Sequence, residues 1–340
     1  MKNTTIGFFV GLILALSLTA FAGENPFHIA AILFKSAFGS NYDFGTTLSY
    51  VAPFIFSGLS VAIAFHGGLF NIGAEGQLTI AAILTTWAGV HLMNLPFPLG
   101  PLVLILCSIL FGGLWGLIPG WLKAYRGSHE VIITIMLNFV AAGFASWMTL
   151  NVIPRTDSQN PETTFIPAWG SLKSWDFVAR AFPNTPLNIS ILLAVLACVL
   201  VWLFLWKTRW GFELRAMGSN PEAASRAGIS KKRYQILTMS LAGALAGMVA
   251  VSEIVAGPGN FRLGFSPDYG FMGIAVAILA GNNPLGILFS AFLLGALHKG
   301  ASDLDLETAT ITRDFSKIIQ GLIVICVAIP WFHSRRKNAS

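Results

Sequence analysis

Long apolar runs alternate with short polar segments along almost the whole chain. A helix that crosses a membrane needs about 20 predominantly apolar residues. Runs that approach or reach this length lie at residues 5–23, 44–65, 74–93, 99–122, 131–150, 188–206, 235–256, 270–281, 284–299 and 314–332. The shorter run from Phe27 to Phe38 contains Lys35 and favours a helix at the membrane interface. The pattern predicts an all-α, polytopic membrane protein with about ten transmembrane helices.

The composition indicates that lipid is the main solvent of this chain. Hydrophobic residues make up 55% of the 340 residues and charged residues only 11%, with a mean hydropathy of +0.70. Soluble domains carry about 25% charged residues. We therefore expect residues 1–340 to form a single transmembrane domain. Cys107, Cys198 and Cys326 lie in apolar runs without the spacing of metal ligands, so we expect no metal site.

The N-terminal segment allows two interpretations. Lys2, the apolar run from Ile6 to Phe21 and the letters "AFAGEN" resemble a signal peptide that is cleaved after Ala22. Its removal would leave an odd number of crossings, which favours a first transmembrane helix. Cleavage of residues 1–22 stays open, as does the span count near residues 270–299.

The distribution of Lys and Arg predicts the orientation. With ten crossings, these residues are more frequent in the segments on the same side as the N-terminus, and those segments are also the shorter ones. Positive residues mark cytoplasmic loops, so we expect both termini in the cytoplasm. The net charge of +6 reflects this topology, and nucleic-acid binding is not expected.

Two segments outside the membrane stand out. The outer loop 151–187 holds several prolines, which suits a structured cap. The inner loop 207–234 is short and basic, and its "SNPEAASRAG" predicts a two-turn helix with Ser219 or Asn220 as its cap and Gly228 as its end. That helix is either an ordinary surface helix or a docking site for a cytoplasmic partner.

The sequence lacks the familiar signatures of catalysis. There is no G-x-x-x-x-G-K-[ST] phosphate loop, and "HEVII" lacks the second histidine of a zinc protease helix because Ile133 takes its place. There is also no G-x-S-x-G or Ser-His-Asp signature. We therefore do not expect an enzyme, although an intramembrane enzyme remains an alternative.

Polar residues interrupt the apolar runs at three places. An ionisable residue in the middle of a bilayer costs about 2.5–3.5 kcal/mol, so each place is a candidate for a solute path or gate. The alternative is a hydrogen bond between helices, or a residue at the membrane boundary. The candidates for the path or gate are Asn71, Glu75, Gln77, Asn138 and Glu253, whereas Glu130 is better explained as a boundary residue.

Glycines suggest two different roles. In "GGLFNIGAEG" they surround Asn71 and Glu75, which favours a broken helix beside a solute path over a plain polar turn. In "FGGLWGLIPGW" and "SLAGALAGMVA" they recur four residues apart within apolar runs, which predicts close helix packing. A second Gly-rich polar break at 281–286 suggests two structural repeats, with the first break at 66–77.

Four motifs in order carry a resemblance to a known family. "GLFNIGAEGQ", "HEVIITIMLN", "RAMGSNPEAASRAGI" and "YGFMGIAVAILAGNNPLG" resemble permeases of bacterial ATP-binding-cassette importers, in the family that contains the ribose and branched-chain amino-acid permeases. The likeness covers nearly the whole chain, and the nucleoside-type permeases are the most similar branch. The resemblance implies a permease in the bacterial inner membrane that translocates a small polar solute, most readily a nucleoside.

The resemblance also implies partners. A separate cytoplasmic ATPase would use the ATP, an extracytoplasmic binding lipoprotein would deliver the solute, and a second, related permease chain would complete a heterodimer in the lipid. The chain itself would bind no cofactor. The residues that match the coupling motif or flank it are Glu222, Ala223, Ala224, Arg226, Gly228 and Lys231. The I-x-L-P of other importer classes is missing, since this chain reads "YQILTMSL".

Alternatives remain for the solute and for the energy source. The same class of importer also carries simple sugars or branched-chain amino acids, and homodimers occur beside heterodimers. An ion-coupled secondary transporter would also keep carboxylates such as Glu75 or Glu253 inside the membrane. The basic inner loop with its short helix favours the ATP-driven importer, because a self-sufficient carrier has no need of it.

Overall fold

The computed structural model of the chain describes residues 2–21, 23–92, 95–172, 176–308, 317–323 and 325–326. In these ranges the numbered helices are α1 (Lys2–Phe21), α2 (Pro26–Phe38), α3 (Asn41–His66), α4 (Ala74–His91), α5 (Leu99–Arg126), α6 (Glu130–Asn151), α7 (Asp176–Ala181), α8 (Ser190–Lys207), α9 (Arg209–Ser219), α10 (Pro221–Arg226), α11 (Lys231–Gly247), α12 (Tyr269–Leu279) and α13 (Pro284–Glu307). A 3-10 helix covers Ala168–Gly170, and a π-helix, Val251–Val255, follows α11.

The helices follow the predicted apolar runs. Among the described residues, six helices are long and apolar enough to cross a membrane: α3, α5, α6, α8, α11 with the π-helix, and α13. Each of the first nine predicted runs contains a helix, whereas most of the run at 314–332 lies outside the described residues. The prediction of an all-α protein with several membrane spans is confirmed.

The helix α3 lies at the centre of the bundle. Every residue from Val51 to Ala64 is buried, and α3 packs against α8, α11, α12 and α13. Its largest fully buried side chains are Phe54, Phe56, Ile55 and Leu59. A helix that is apolar and buried on all sides belongs to the interior of a bundle rather than to its lipid-facing rim.

Glycines bring α5 and α11 into close contact. A Cβ added at Gly116 would lie 2.3 Å from the carbonyl oxygen of Met239, and one added at Gly243 would lie 2.3 Å from that of Gly112. Only residues without a side chain allow two helix backbones to approach in this way. The predicted packing role of these glycine patterns is confirmed.

Irregular segments interrupt the helices at two places inside the bundle. Residues 67–73 separate α3 from α4, and residues 256–268 separate the π-helix from α12. The first of these is the predicted broken helix at 66–77.

The segment predicted as a second break, 281–286, joins α12 to α13. Residues 280–283 form a tight turn between α12 and α13, because Gly281 and Asn282 adopt φ values of 63° and 59° and end the helix. The Asn283 side chain then accepts a hydrogen bond from Leu285 N and caps α13, with Pro284 at its first position. The polar residues that predicted a second break therefore form a short turn and the start of α13, and the two repeats stay a prediction.

The helices α4 and α12 run in opposite directions. A Cβ on Gly273 of α12 would lie 2.7 Å from the backbone carbon of Ser57, and His66 Nε2 lies 2.9 Å from Asn282 O. These contacts place α12 beside the second half of α3 and parallel to it. The helix α4 leads the other way, since its Gly89 reaches the loop after α6.

Candidate functional site

The segment between α3 and α4 folds back alongside α3. Asn71 Nδ2 donates to Ser60 Oγ (3.2 Å) and to Gln77 Oε1 (2.8 Å). Asn71 Oδ1 accepts from Gln77 Nε2 (3.1 Å) and from Gly73 N (3.1 Å). Ser60 precedes the last residue of α3, His66, by about 9 Å of helix. The helix α4 therefore begins inside the bundle and not at its edge.

The two amides of this segment hold each other. Asn71 is 0% exposed and Gln77 is 1% exposed, so both need the partners that they have. Their reciprocal bonds frame the break and fix the start of α4. Contact of either side chain with a solute stays a prediction.

Asn138 of α6 satisfies backbone groups that the break leaves open. Its Oδ1 accepts a hydrogen bond from Gly76 N (2.9 Å), and its Nδ2 donates to Ile72 O (3.1 Å). The first N–H groups of a helix lack partners within that helix, and inside a membrane they need others. A Cβ on Gly76 would lie 2.7 Å from Asn138 Oδ1, so glycine permits this contact.

Glu75 joins the start of α4 to the start of α12. It lies in the first turn of α4, and its Oε2 accepts a hydrogen bond from Gly270 N (2.8 Å) in the first turn of α12. A Cβ on Gly270 would lie 2.3 Å from Glu75 N. The Ser266 hydroxyl also hydrogen-bonds the Glu75 carboxylate and accepts from Tyr269 N (3.0 Å) as the helix begins.

The geometry explains how a carboxylate is tolerated there. The N-terminus of each helix carries a partial positive charge, and two such ends meet at Glu75. A negative group at this point is stabilised by both helices and by directed N–H and O–H donors. We call the meeting of α4 and α12 at Glu75 and Gly270 the junction.

Glu253 reaches the same place from a third element. It lies half-buried in the π-helix after α11 and hydrogen-bonds the Tyr269 hydroxyl. Tyr269 is 3% exposed, and its ring lies 5.6 Å from that of Phe54 on α3. Short π-helices occur frequently at functional sites. The structure thus gathers Glu75, Asn138 and Glu253, which are far apart in sequence, around the two helix starts.

Sequence reasoning missed part of the junction. Ser266, Tyr269 and Gly270 were not among the candidate residues, because "SPDYG" shows no N-cap pattern: Asp268 occupies the cap position without a side-chain hydrogen bond. Glu130 was interpreted as a boundary residue, and it pairs with Lys123 (2.8 Å) across the turn between α5 and α6.

The inner loop forms the predicted short helix. Asn220 is its cap and accepts hydrogen bonds from Glu222 N (3.1 Å) and Ala223 N (3.0 Å). Of the coupling candidates on and after this helix, Ala224 is buried and the others are exposed: Glu222, Ala223, Arg226, Gly228 and Lys231. The helix α10 therefore offers an accessible polar face, anchored through Ala224.

The inner loop touches the first break directly. A Cβ on Gly218, near the end of α9, would lie 2.1 Å from His66 O and 2.7 Å from Gly68 N. Gly68 has a φ of 71°, which favours glycine. Gly218 lies three residues before α10 begins, so this contact links α10 to the first break.

A polar cluster holds α9 to α11. The Tyr234 hydroxyl and Arg209 Nε both donate to Glu213, the latter at 2.7 Å. The hydrogen bond from Tyr234, followed by that from Arg209, holds the pKa of the Glu213 carboxyl below its usual range. This cluster fixes the position of α9, and with it the contact of Gly218 with the break.

The chain is similar to named permeases over most of its length. It is 36% identical over 327 residues to the nucleoside ABC transporter permease protein NupB of Lactococcus lactis subsp. cremoris, which covers 95% of this chain and 88% of the relative. It is 38% identical over 300 residues to the guanosine ABC transporter permease protein NupP of Bacillus subtilis, with 87% and 84% covered. The glucose ABC transporter permease protein TsgB13 of Haloferax volcanii is 30% identical over 315 residues, with 92% and 82% covered.

No solved structure matches the chain. The family model described as branched-chain amino acid transport system / permease component matches residues 43–328. This range includes the irregular segments 67–73 and 256–268, the junction and the inner loop. The chain therefore belongs to this family of membrane transport permeases.

Proposed function

We propose that this chain is the permease subunit of an ATP-driven importer whose solute is a nucleoside. The observation that carries the proposal is the junction, where carboxylate and hydroxyl groups are collected inside an apolar bundle. The names of two relatives at 36% and 38% identity support the choice of solute. The relative named for glucose is less similar, at 30%.

The chemistry of the junction favours an uncharged solute with several hydrogen-bond donors. Glu75 and Glu253 accept hydrogen bonds, and Tyr269 and Ser266 carry hydroxyls. The hydroxyls of a ribose and the amino group of a base are suitable donors to carboxylates. The same carboxylates repel phosphate or a free carboxylate. This argument favours nucleosides over nucleotides and over branched-chain amino acids; simple sugars remain the second candidate.

The proposed path follows the two breaks. We infer that α3 with α4 and α11 with α12 are the cores of two repeats in opposite orientation, because in each pair an irregular segment leads to a second helix that begins inside the bundle, and these second helices run in opposite directions. Discontinuous helices whose ends point at the solute are a recurrent design in transporters. In this arrangement ten spans place both termini in the cytoplasm of the bacterial cell.

The energy would enter through α10. A cytoplasmic ATPase docks on the exposed face of α10, and the contact of Gly218 with Gly68 passes its movement to the first break. An extracytoplasmic binding protein delivers the solute on the opposite side, and a second, related permease completes a heterodimer. ATP is hydrolysed by the partner, and this chain holds no cofactor.

Guanosine uptake tests the proposal. In cells that express the chain with its neighbouring transport genes, we expect saturable uptake of radiolabelled guanosine. Unlabelled adenosine should inhibit this uptake by competition, whereas glucose should not. Replacing Glu75 by Gln should lower the rate about tenfold or more, since a hydrogen bond to a charged group is worth about 1.5–3 kcal/mol. Glucose uptake without guanosine uptake would overturn the choice of solute.

A further inference from the structure

The outer loop is hydrogen-bonded along the segment that leads to α12. Thr163 N donates to Phe261 O (2.9 Å), and Phe261 N donates to Thr163 Oγ1 (3.0 Å). Ile166 N donates to Gly259 O (2.7 Å). The same pattern continues at both ends, through Leu172 N to Val255 O and Leu263 N to Pro161 O. Residues 259–263, which belong to no helix, are therefore held in place largely by hydrogen bonds with the outer loop.

Glu162 is the charged centre of this contact. It is 7% exposed, and its carboxylate accepts from Arg155 Nη1 (2.7 Å) and from Asn260 Nδ2 (3.1 Å). Asn260 is 2% exposed. A buried carboxylate is retained only with good donors. The hydrogen bond from Ser158, helped by those from Asn260 and Arg155, holds the pKa of Glu162 below its usual range.

The chain passes from this contact to the junction in a few residues. Phe261 is 2% exposed and packs against Phe265, with the ring centroids 5.1 Å apart and the ring planes tilted. Ser266 follows in the chain. Its hydroxyl hydrogen-bonds the Glu75 carboxylate and accepts a hydrogen bond from Tyr269 N. The position of the α12 start is therefore set from the outer loop, through a segment that has no helix of its own.

We propose that Glu162 is a positioning residue for transport: it ties the outer loop to the segment 256–268 and so holds the start of α12 against Glu75. The outer loop and this segment move as one unit when a protein presses on the loop from outside. The inference rests on the proposed function, because it concerns the same path.

Three variants test this in cells that express the whole transporter. Glu162→Ala should lower the maximal rate of guanosine uptake about tenfold, since it removes a bond to a charged group. Glu162→Gln keeps an oxygen for Asn260 and should recover part of the rate. Asp157→Ala is the matched control: Asp157 binds Arg155 from its exposed side (2.8 Å) and should leave the rate within about twofold.

A double-mutant cycle separates positioning from mere stability. Ser266→Ala weakens the junction directly. If Glu162 acts through the junction, the combined variant should be much less impaired than the product of the two single effects, because coupled residues are not additive. If each substitution only destabilised the fold independently, the fold-losses in uptake rate of the two single variants would multiply in the combined variant. Multiplied effects, or a Glu162→Ala variant that transports like the native chain, overturn the proposal.

A disulfide can restore the lost tie. Residues 162 and 262 face each other in an antiparallel bridge, a spacing that suits a disulfide. With the native cysteines replaced, the pair Glu162→Cys and Arg262→Cys should transport slowly when reduced and recover at least about half the native rate when oxidised. No recovery on complete oxidation counts against the proposal. Absence of guanosine uptake by the native chain would instead indicate that the proposed function is wrong.

Discussion

The two irregular segments meet at one junction but are held in different ways. Residues 67–73 are fixed by side-chain amides and touch the inner loop through two glycines, Gly68 and Gly218. Residues 256–268 make backbone hydrogen bonds to the outer loop, and their Asn260 binds the Glu162 carboxylate. A glycine contact has no directed bond and lets surfaces slide, whereas a hydrogen-bonded strand moves with its partner. The contact of Gly68 with Gly218 is thus suited to movement, and the hydrogen-bonded contact with loop 151–187 to rigid transmission.

The largest effect is expected where the segments meet. Gly270→Ala places a Cβ within 2.3 Å of Glu75 N and should abolish uptake, because the helix starts must move apart at a cost of about 1–3 kcal/mol. Gly143→Ala is the matched control, since a Cβ there meets nothing within 4 Å. Normal transport by Gly270→Ala would break the account of the junction.

The next effect concerns the frame of the first segment. Asn138→Ala leaves Gly76 N and Ile72 O unsatisfied and should lower the free energy of unfolding by about 1–3 kcal/mol. Thermal unfolding of the solubilised protein, together with uptake, measures this. Asn151→Ala removes a bond within the same helix, from Asn151 Nδ2 to Trp147 O (3.0 Å), and should change little. Equal effects of the two would remove the special role of Asn138.

The inner contact should affect coupling more than binding. Gly218→Ala would bring a Cβ to 2.1 Å from His66 O. We expect the stimulation of the ATPase by the loaded binding protein to fall several-fold, in line with the cost of overpacking. If stimulation persists while uptake is lost, the route from α10 to the break lies elsewhere.

Charge reversal on the inner loop should have a smaller effect. Reversing Arg226, Lys231 and Lys232, all exposed, should weaken assembly with the ATPase in a salt-dependent way, because charges at a rim change mainly the rate of association. Pull-down of the ATPase at low and high salt checks this. If the charge-reversed variant pulls down as much ATPase as the native chain at both salt concentrations, α10 is an ordinary surface helix and not a docking site.

The smallest effect concerns pH at the outer contact. Because its hydrogen bonds lower the pKa of Glu162 in the folded chain, its stabilising contribution is present above the unfolded value, about 4.3, and is lost as the pH falls through the folded value. The difference in melting temperature between the native chain and Glu162→Gln should therefore shrink on acidification below about pH 4.3. A difference independent of pH would mean that the charge is not involved.

Local features of this fold were readable from the sequence, and long-range ones were not. Apolar runs predicted the helices, and Asn220 with Pro221 predicted α10, because burial and capping are local. The pairing of Glu75 with Gly270 joins residues that no periodicity connects. A second break was predicted at 281–286 because Gly281 and Asn282 resemble the glycines and Asn71 of the first one, yet they only end a helix. The irregular segment 256–268 was not predicted, because its hydrogen-bond partners in the outer loop lie far from it in the sequence.

The most direct test is protection of the junction by the solute. In the assembled transporter, with Cys107, Cys198 and Cys326 replaced by serine, Ser266→Cys places a thiol beside Glu75. The account predicts that guanosine slows its labelling by a membrane-permeant maleimide, whereas guanosine 5′-monophosphate does not. Labelling at the same rate with and without guanosine, in a variant that still transports it, would contradict the claim that the solute passes the junction.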